Sequence, residues 1–147
     1  MECKFITHPS QEDQWTNDIQ AHAQLATLYY LSGPASLPAL TLALRYFARS
    51  VELNDSYIRG YYGLKLVSAK LLPLLSESSS VSKRNNDEDD VRPPKVQSVK
   101  KLEEIATNKL AEAVRQFSSG NKAWADMDEA EIIAARELLD RDGKIVR

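Results

Sequence analysis

The sequence predicts an all-α protein, a helical-repeat fragment of the α-solenoid kind with about five helices. Three observations carry that expectation. Ala43, Phe47 and Ser50 place a small residue, an aromatic and a second small residue on one stripe of a helix, so that a neighbouring helix can come close while the ring fills the gap beside it. Residues 99–117 carry the clearest amphipathic stripe of the chain, with Val99, Leu102, Ile105, Ala106, Leu110, Ala113, Val114 and Phe117 at helical spacing. Apolar and polar residues nowhere alternate as a half-buried strand requires, and glycine is scarce.

The elements follow in order. Residues 1–17 form a polar N-terminal segment, irregular to about Gln14, with His8-Pro9 marking an extended piece or turn. The first helix starts at about Trp15 or Asp18 and ends at Leu31, with Ala21, Leu25, Leu28 and Tyr29 at helical spacing. Gly33 suits a left-handed cap and Pro34 cannot continue the helix. Pro38 suits the first turn of the second helix, which presents Leu40, Ala43, Leu44, Phe47 and Val51 on one face. Asn54-Asp55-Ser56 is a turn rich in capping residues. The third helix follows to about Leu75, where Pro73 is expected to break or kink it.

Residues 76–98 are acidic and serine-rich and have almost nothing to bury, so they read as a disordered linker between residues 18–75 and the C-terminal helices of residues 99–141. As a flexible coil the linker spans roughly 25 Å. The preceding helix is about as long at ~1.5 Å per residue, so the direction of the fourth helix stays open. Ser98 is its expected N-cap. A fifth helix is expected from near Asp126, with Glu129 three residues on and Asp128 and Glu131 favouring the helix dipole.

Composition narrows the function. The net charge of −2 and pI of about 5.7 argue against a nucleic-acid or membrane-surface binder acting through bulk charge. Cys3 is the sole cysteine, which excludes an intrachain disulfide and a cysteine zinc site. No apolar run approaches the ~20 residues that span a bilayer. Cys3 and His8 lack a second ligand pair, and His22 sits among small apolar residues as a packing residue. There is no His-Glu-x-x-His, phosphate loop or nucleophile elbow. Residues 87–90 lack the glycine and distal glutamate of a calcium loop and read as a solvated acidic run. Ser76, Ser78, Ser79, Ser80 and Ser82 are accessible to phosphorylation in a linker. The sequon at Asn54 is explained by its capping role. No enzyme, cofactor or metal site is expected. Tyr57, Tyr62 and Trp124 are the aromatics expected to anchor a partner.

The helix-turn-helix unit from Ala21 to Asp55 resembles a tetratricopeptide repeat. Leu25, Ala26 and Tyr29 stand at the packing positions of its first helix, Ala43, Phe47 and Ser50 at those of its second, and Tyr61 and Leu64 begin a degenerate second unit. Two departures stand out: the loop from Ser32 to Pro38 is several residues too long, and Asn54-Asp55 replaces the closing proline. The first helix, lacking Lys, Arg and Asn over residues 21–31, offers no carboxylate clamp.

Leu-Ala-Thr-Leu-Tyr-Tyr-Leu-Ser-Gly, the stretched loop, Ala-Leu-Arg-Tyr-Phe-Ala-Arg-Ser-Val-Glu-Leu-Asn and Arg-Gly-Tyr-Tyr-Gly-Leu together resemble the C-terminal part of the subunit 2 family of the endoplasmic reticulum membrane protein complex. The resemblance implies a chain cut from a longer repeat array. It implies a non-catalytic scaffold at the cytosolic face of the endoplasmic reticulum, held by other subunits of that complex and supporting insertion of transmembrane segments, with no nucleic acid bound and no direct membrane insertion. The runner-up is a free-standing peptide-binding tetratricopeptide adaptor.

Overall fold

A computed structural model describes residues 11–32, 36–81, 92–120 and 128–145. Among them are five helices and no strand: α1 (Gln11–Leu31), α2 (Leu37–Leu53), α3 (Ile58–Val81), α4 (Val96–Ser118) and α5 (Glu129–Ile145). Each helix packs on the next. α1 and α5 also touch α3, but α1 meets neither α4 nor α5, and α2 meets neither as well. The odd helices therefore form one layer and the even ones the other. This is the arrangement of an α-helical repeat-like fragment.

Several boundaries differ from the sequence expectation, each for a local reason. α1 takes in Gln11 to Gln14, where Glu12 and Asp13 suit a helix N-terminus. α3 runs straight through Pro73 to Val81. Leu71 and Leu75, on either side of the proline, are both buried, and Pro73 itself is exposed. Packing of the flanking turns outweighs the missing N–H. α4 begins at Val96, after Pro93-Pro94, and the Lys95 carbonyl accepts from Ser98 N (2.9 Å) and Val99 N (3.1 Å). Ser98, expected to cap α4, is thus inside it. The helices shorten the expected linker from both sides, and residues 82–91 lie outside the described residues.

The other caps are side-chain and backbone bonds to free helix ends. Ser36 Oγ accepts from Ala39 N at 3.4 Å, with Pro38 in the first turn of α2. Asn54 Oδ1 accepts from Ser56 N at 2.9 Å, which accounts for that asparagine in the turn. Gly120, at φ +74, follows α4 and donates to the Phe117 carbonyl at 3.1 Å. Asp128 starts α5, its Oδ1 accepting from Ala130 N at 3.0 Å. The expected starts and stops at Gly33, Pro34 and Asp126 lie outside the described residues.

One contact sets the spacing of the stack. Phe47 of α2 lies against Gly63 of α3 so closely that a methyl group on residue 63 would overlap its ring. One turn earlier, a methyl on Gly60 would come within 2.5 Å of Val51 Cγ1 and 2.7 Å of Ser50 Oγ. Ser50 is fully buried and its hydroxyl donates to the Phe47 carbonyl at 2.7 Å, so its polar atom is satisfied inside its own helix. The core continues from here as one cluster through Leu64, Val67 and Leu71 of α3, Val99, Ala106 and Leu110 of α4, and Ile132, Ala135 and Leu138 of α5.

A buried polar tie joins the last three helices. Lys65 of α3 is buried, and its ammonium donates to Thr107 Oγ1 of α4 (2.8 Å) and pairs with Asp142 Oδ2 of α5 (2.7 Å). Both partners are needed to offset the cost of removing the ammonium from water.

Replacing Phe47 by alanine is predicted to cost about 3–5 kcal/mol. Tyr46, half-buried and stacked on Tyr29 at 5.8 Å, should lose less on the same change. Gly63→Ala should also destabilise, but less so in a Phe47→Leu background. Denaturant melts of the four-member cycle check this, and additive losses would mean that the two residues do not touch.

Candidate functional site

The helix layers leave a groove. α3 is its floor, α1 one wall and the start of α5 the other, and because α1 and α5 do not meet, the space between them stays open. Its volume is about 660 Å³. The periodicity of α1 explains which side chains face it. Ile19, Ala23 and Ala26 point into the core, and Gln24, Thr27, Leu28 and Leu31, a quarter-turn or more round the helix, line or border the groove. On α3 the residues Arg59, Tyr62, Gly63 and Leu66 recur at three- and four-residue spacing along the floor. Tyr57 closes the end near α5, where Glu131 and Ala134 complete the lining.

The lining is apolar apart from its edges. Thr27 turns its hydroxyl back to the Ala23 carbonyl at 2.8 Å and leaves its methyl for the groove. Arg59 and Glu131, the two charged lining residues, form an ion pair with each other. The hydrogen bond and charge of Glu131 hold the Arg59 guanidinium above its ordinary pKa. Burial raises the Tyr57 hydroxyl, against a smaller opposing effect of Arg59. At the far edge the Lys70 ammonium sits 4.0 Å from the centroid of the Tyr30 ring. Leu28 and Leu31 are 65% and 68% exposed, unusually open for leucines on a packed helix.

On another side of α3 lies a polar lock. Tyr61 donates its hydroxyl to Asp55 Oδ1 (2.8 Å), and Lys109 of α4 bonds Asp55 Oδ2 (3.1 Å). Burial, with the Asp55 carboxylate behind it, pushes the Tyr61 hydroxyl well above the usual tyrosine range. The Tyr61 bond, then Lys109, lower the Asp55 carboxyl. His22 Nδ1 donates to the Asp18 carbonyl (2.6 Å), and the ring meets that of Tyr46 edge-on at 5.9 Å. Among the described residues no three His, Cys, Asp or Glu side chains are placed to share a metal ion. No described helix is long and apolar enough to cross a membrane.

The residues singled out from sequence fall in several places. Ala26, Ala43, Phe47, Ser50, Tyr61 and Leu64 are buried between helices, and Tyr29 is half-buried on Tyr46. Leu25 stands apart from them, 41% exposed: α1 buries Ala23 and Ala26, and the leucine is left outside. Tyr57 and Tyr62 meet in the groove lining. Trp124, Cys3 and His8 lie outside the described residues, as do Ser82 and residues 87–90. Ser76 and Ser78 belong to α3, donating to the Pro73 carbonyl (2.7 Å) and the Leu75 carbonyl (3.1 Å). Sequence reasoning passed over Leu31, Leu66, Arg59, Glu131 and Lys70. A signal for the first was present: α1 carries more large apolar side chains than its alanine-lined contact face can cover.

Comparison with known proteins gives bacterial relatives. The chain is 22% identical over 108 residues to UPF0325 protein YaeH of Escherichia coli (strain K12 / DH10B), covering 73% of this chain and 84% of the relative. The same figures hold for UPF0325 protein YaeH of Shigella boydii serotype 18 (strain CDC 3083-94 / BS512). No family model matches the chain, and no solved structure does.

These relatives overturn the expectation built on the resemblance. Bacteria have no endoplasmic reticulum, so membership of the subunit 2 family of its membrane protein complex, a scaffold role in membrane insertion, partners among that complex's subunits and a place on its cytosolic face are all withdrawn. The tetratricopeptide assignment is withdrawn as well, and with it the adaptor reading in so far as it rested on that family. The physical reason lies in the motif. A small residue, an aromatic and another small residue along one helix stripe is what any closely approaching helix pair needs, as the seating of Phe47 on Gly63 illustrates, and it marks a packing distance rather than a family.

The lock at Asp55 makes the stability of the fold depend on pH at both extremes. Because Tyr61 is raised when folded, its contribution is complete below pH 10.0 and is lost as pH rises beyond it. Because Asp55 is lowered, its contribution is complete above pH 3.8 and is lost as pH falls through the folded value. Denaturant midpoints across pH should show the advantage of the native chain over Tyr61→Phe shrinking on the alkaline side, and its advantage over Asp55→Asn shrinking on the acid side. Constant differences would contradict the lock.

Proposed function

We propose that the chain is a non-catalytic binding module whose α1–α3–α5 groove takes an apolar helical segment of another polypeptide. The observation that carries this is the pair Leu28 and Leu31, held open to solvent on the wall of an apolar groove of about 660 Å³. Burying such side chains against a partner is favourable by roughly 25 cal/mol per Å² of apolar surface covered. The shape supports a helix as occupant. One turn of helix, about 10–12 Å across and 5.4 Å long, fills roughly 420–610 Å³, so the groove admits one face of a short helix and leaves the other in water. Helices bind such grooves through apolar residues at i, i+3, i+4 and i+7. The charged lining residues, Arg59 and Glu131, neutralise each other and demand nothing of the occupant.

Selection of a random helical-peptide display library on the immobilised chain tests this. Recovered peptides should carry apolar residues at helical spacing. Leu28→Asp should weaken them at least about tenfold, as burial of one carboxylate in an apolar site implies, without moving the denaturant midpoint, because Leu28 is mostly exposed in the free chain. Absence of any enrichment, or equal binding by the variant, would refute the groove as a binding site.

A further inference from the structure

The two ends of the groove differ in charge, and the difference specifies the occupant further. Arg59, Tyr62 and Leu66 line the floor on α3, and Lys70 follows on the same helix face just beyond the lining. Arg59 and Lys70 are eleven positions apart, about 16 Å of helix. At the first end the guanidinium of Arg59 is answered by Glu131. At the second the ammonium of Lys70 is exposed and fixed over the Tyr30 ring at 4.0 Å, and no carboxylate among the described residues pairs with it. Tyr30 itself lines the groove, so the cation stands at the mouth of the apolar cavity rather than on a remote surface.

A cation held on an aromatic face keeps most of its charge available to a second partner, because the ring supplies only a weak quadrupole attraction. An acidic group at one end of a bound apolar helix would complete at Lys70 the pairing that Glu131 already supplies at Arg59. We infer that the partner segment is an apolar helix of about three turns bearing an Asp or Glu at one end, seated against Lys70. This rests on the groove reading above and adds the charge and length of the occupant.

The same display selection, repeated on charge variants at low ionic strength, separates the two. On the native chain, recovered peptides should show an acidic residue at one end of the apolar repeat. On Lys70→Glu, a lysine or arginine should replace it at that position. On Lys70→Met the apolar pattern should persist without charge preference. A synthetic peptide from the native selection should bind roughly two- to fivefold more weakly when its acid becomes glutamine, and equally well in both forms to Lys70→Met. Lys70 is exposed, so thermal melts of the variants should match the native chain. Apolar peptides without charge preference on the native chain, or the same acidic preference on Lys70→Glu, would overturn this inference and leave the groove reading standing. No enrichment on any form would overturn both. So would concentration-dependent dimers in sedimentation that Leu28→Asp abolishes, since the occupant would then be a second copy.

Discussion

The close seating of α2 on α3 is the constraint on which the rest of the structure depends. Phe47 occupies space that exists because residue 63 has no side chain, and Ser50 and Val51 occupy the space left by Gly60. A helix pair normally stands 8–10 Å apart, depending on the side chains between. Gly60 and Gly63 let α2 approach so closely that a methyl group at either position would overlap its side chains. Once α2 and α3 are so placed, α1 packs on α2, with His22 and Tyr29 against Tyr46, and also touches α3. The open side of that arrangement is the groove.

The division of labour within α1 follows. Ile19, Ala23 and Ala26 face the protein, and three large residues, Leu25, Leu28 and Leu31, face outward. A helix made only to complete a core would have the opposite pattern. At the other wall, α5 is joined to α3 by Arg59–Glu131 near its start and by Lys65–Asp142 near its end, with Ile132, Ala135 and Leu138 buried between. The polar ties join α5 to α3, and the two walls of the cavity do not meet.

Much of the fold was legible in the residues, and less of the site. The all-α class and the succession of five helices follow from period and caps, and the role of Ala43, Phe47 and Ser50 follows from their sizes. The receiving surface for Phe47 was harder to read, because Gly60 and Gly63 inside a helix look like weaknesses until the neighbour is known. Pro73 misled for a related reason: a local rule about the backbone gave way to burial of Leu71 and Leu75 on both sides of it. The groove could not be read because it joins residues from α1, α3 and α5, and no single-helix pattern shows which faces remain uncovered. The same locality explains why a packing motif suggested a family that the relatives do not support.

The central claim is that α1 and α5 stand apart and leave Leu28 and Leu31 open to solvent while the core face of α3, with Leu64 and Leu71, is sealed. Methyl NMR of the leucine-labelled chain with a soluble paramagnetic probe measures this directly. The methyl signals of Leu28 and Leu31 should broaden strongly, while those of Leu64 and Leu71, fully buried on α3, should stay sharp. Protection of Leu28 and Leu31 to the same degree as Leu71 would show that the groove is closed in solution and would contradict the claim.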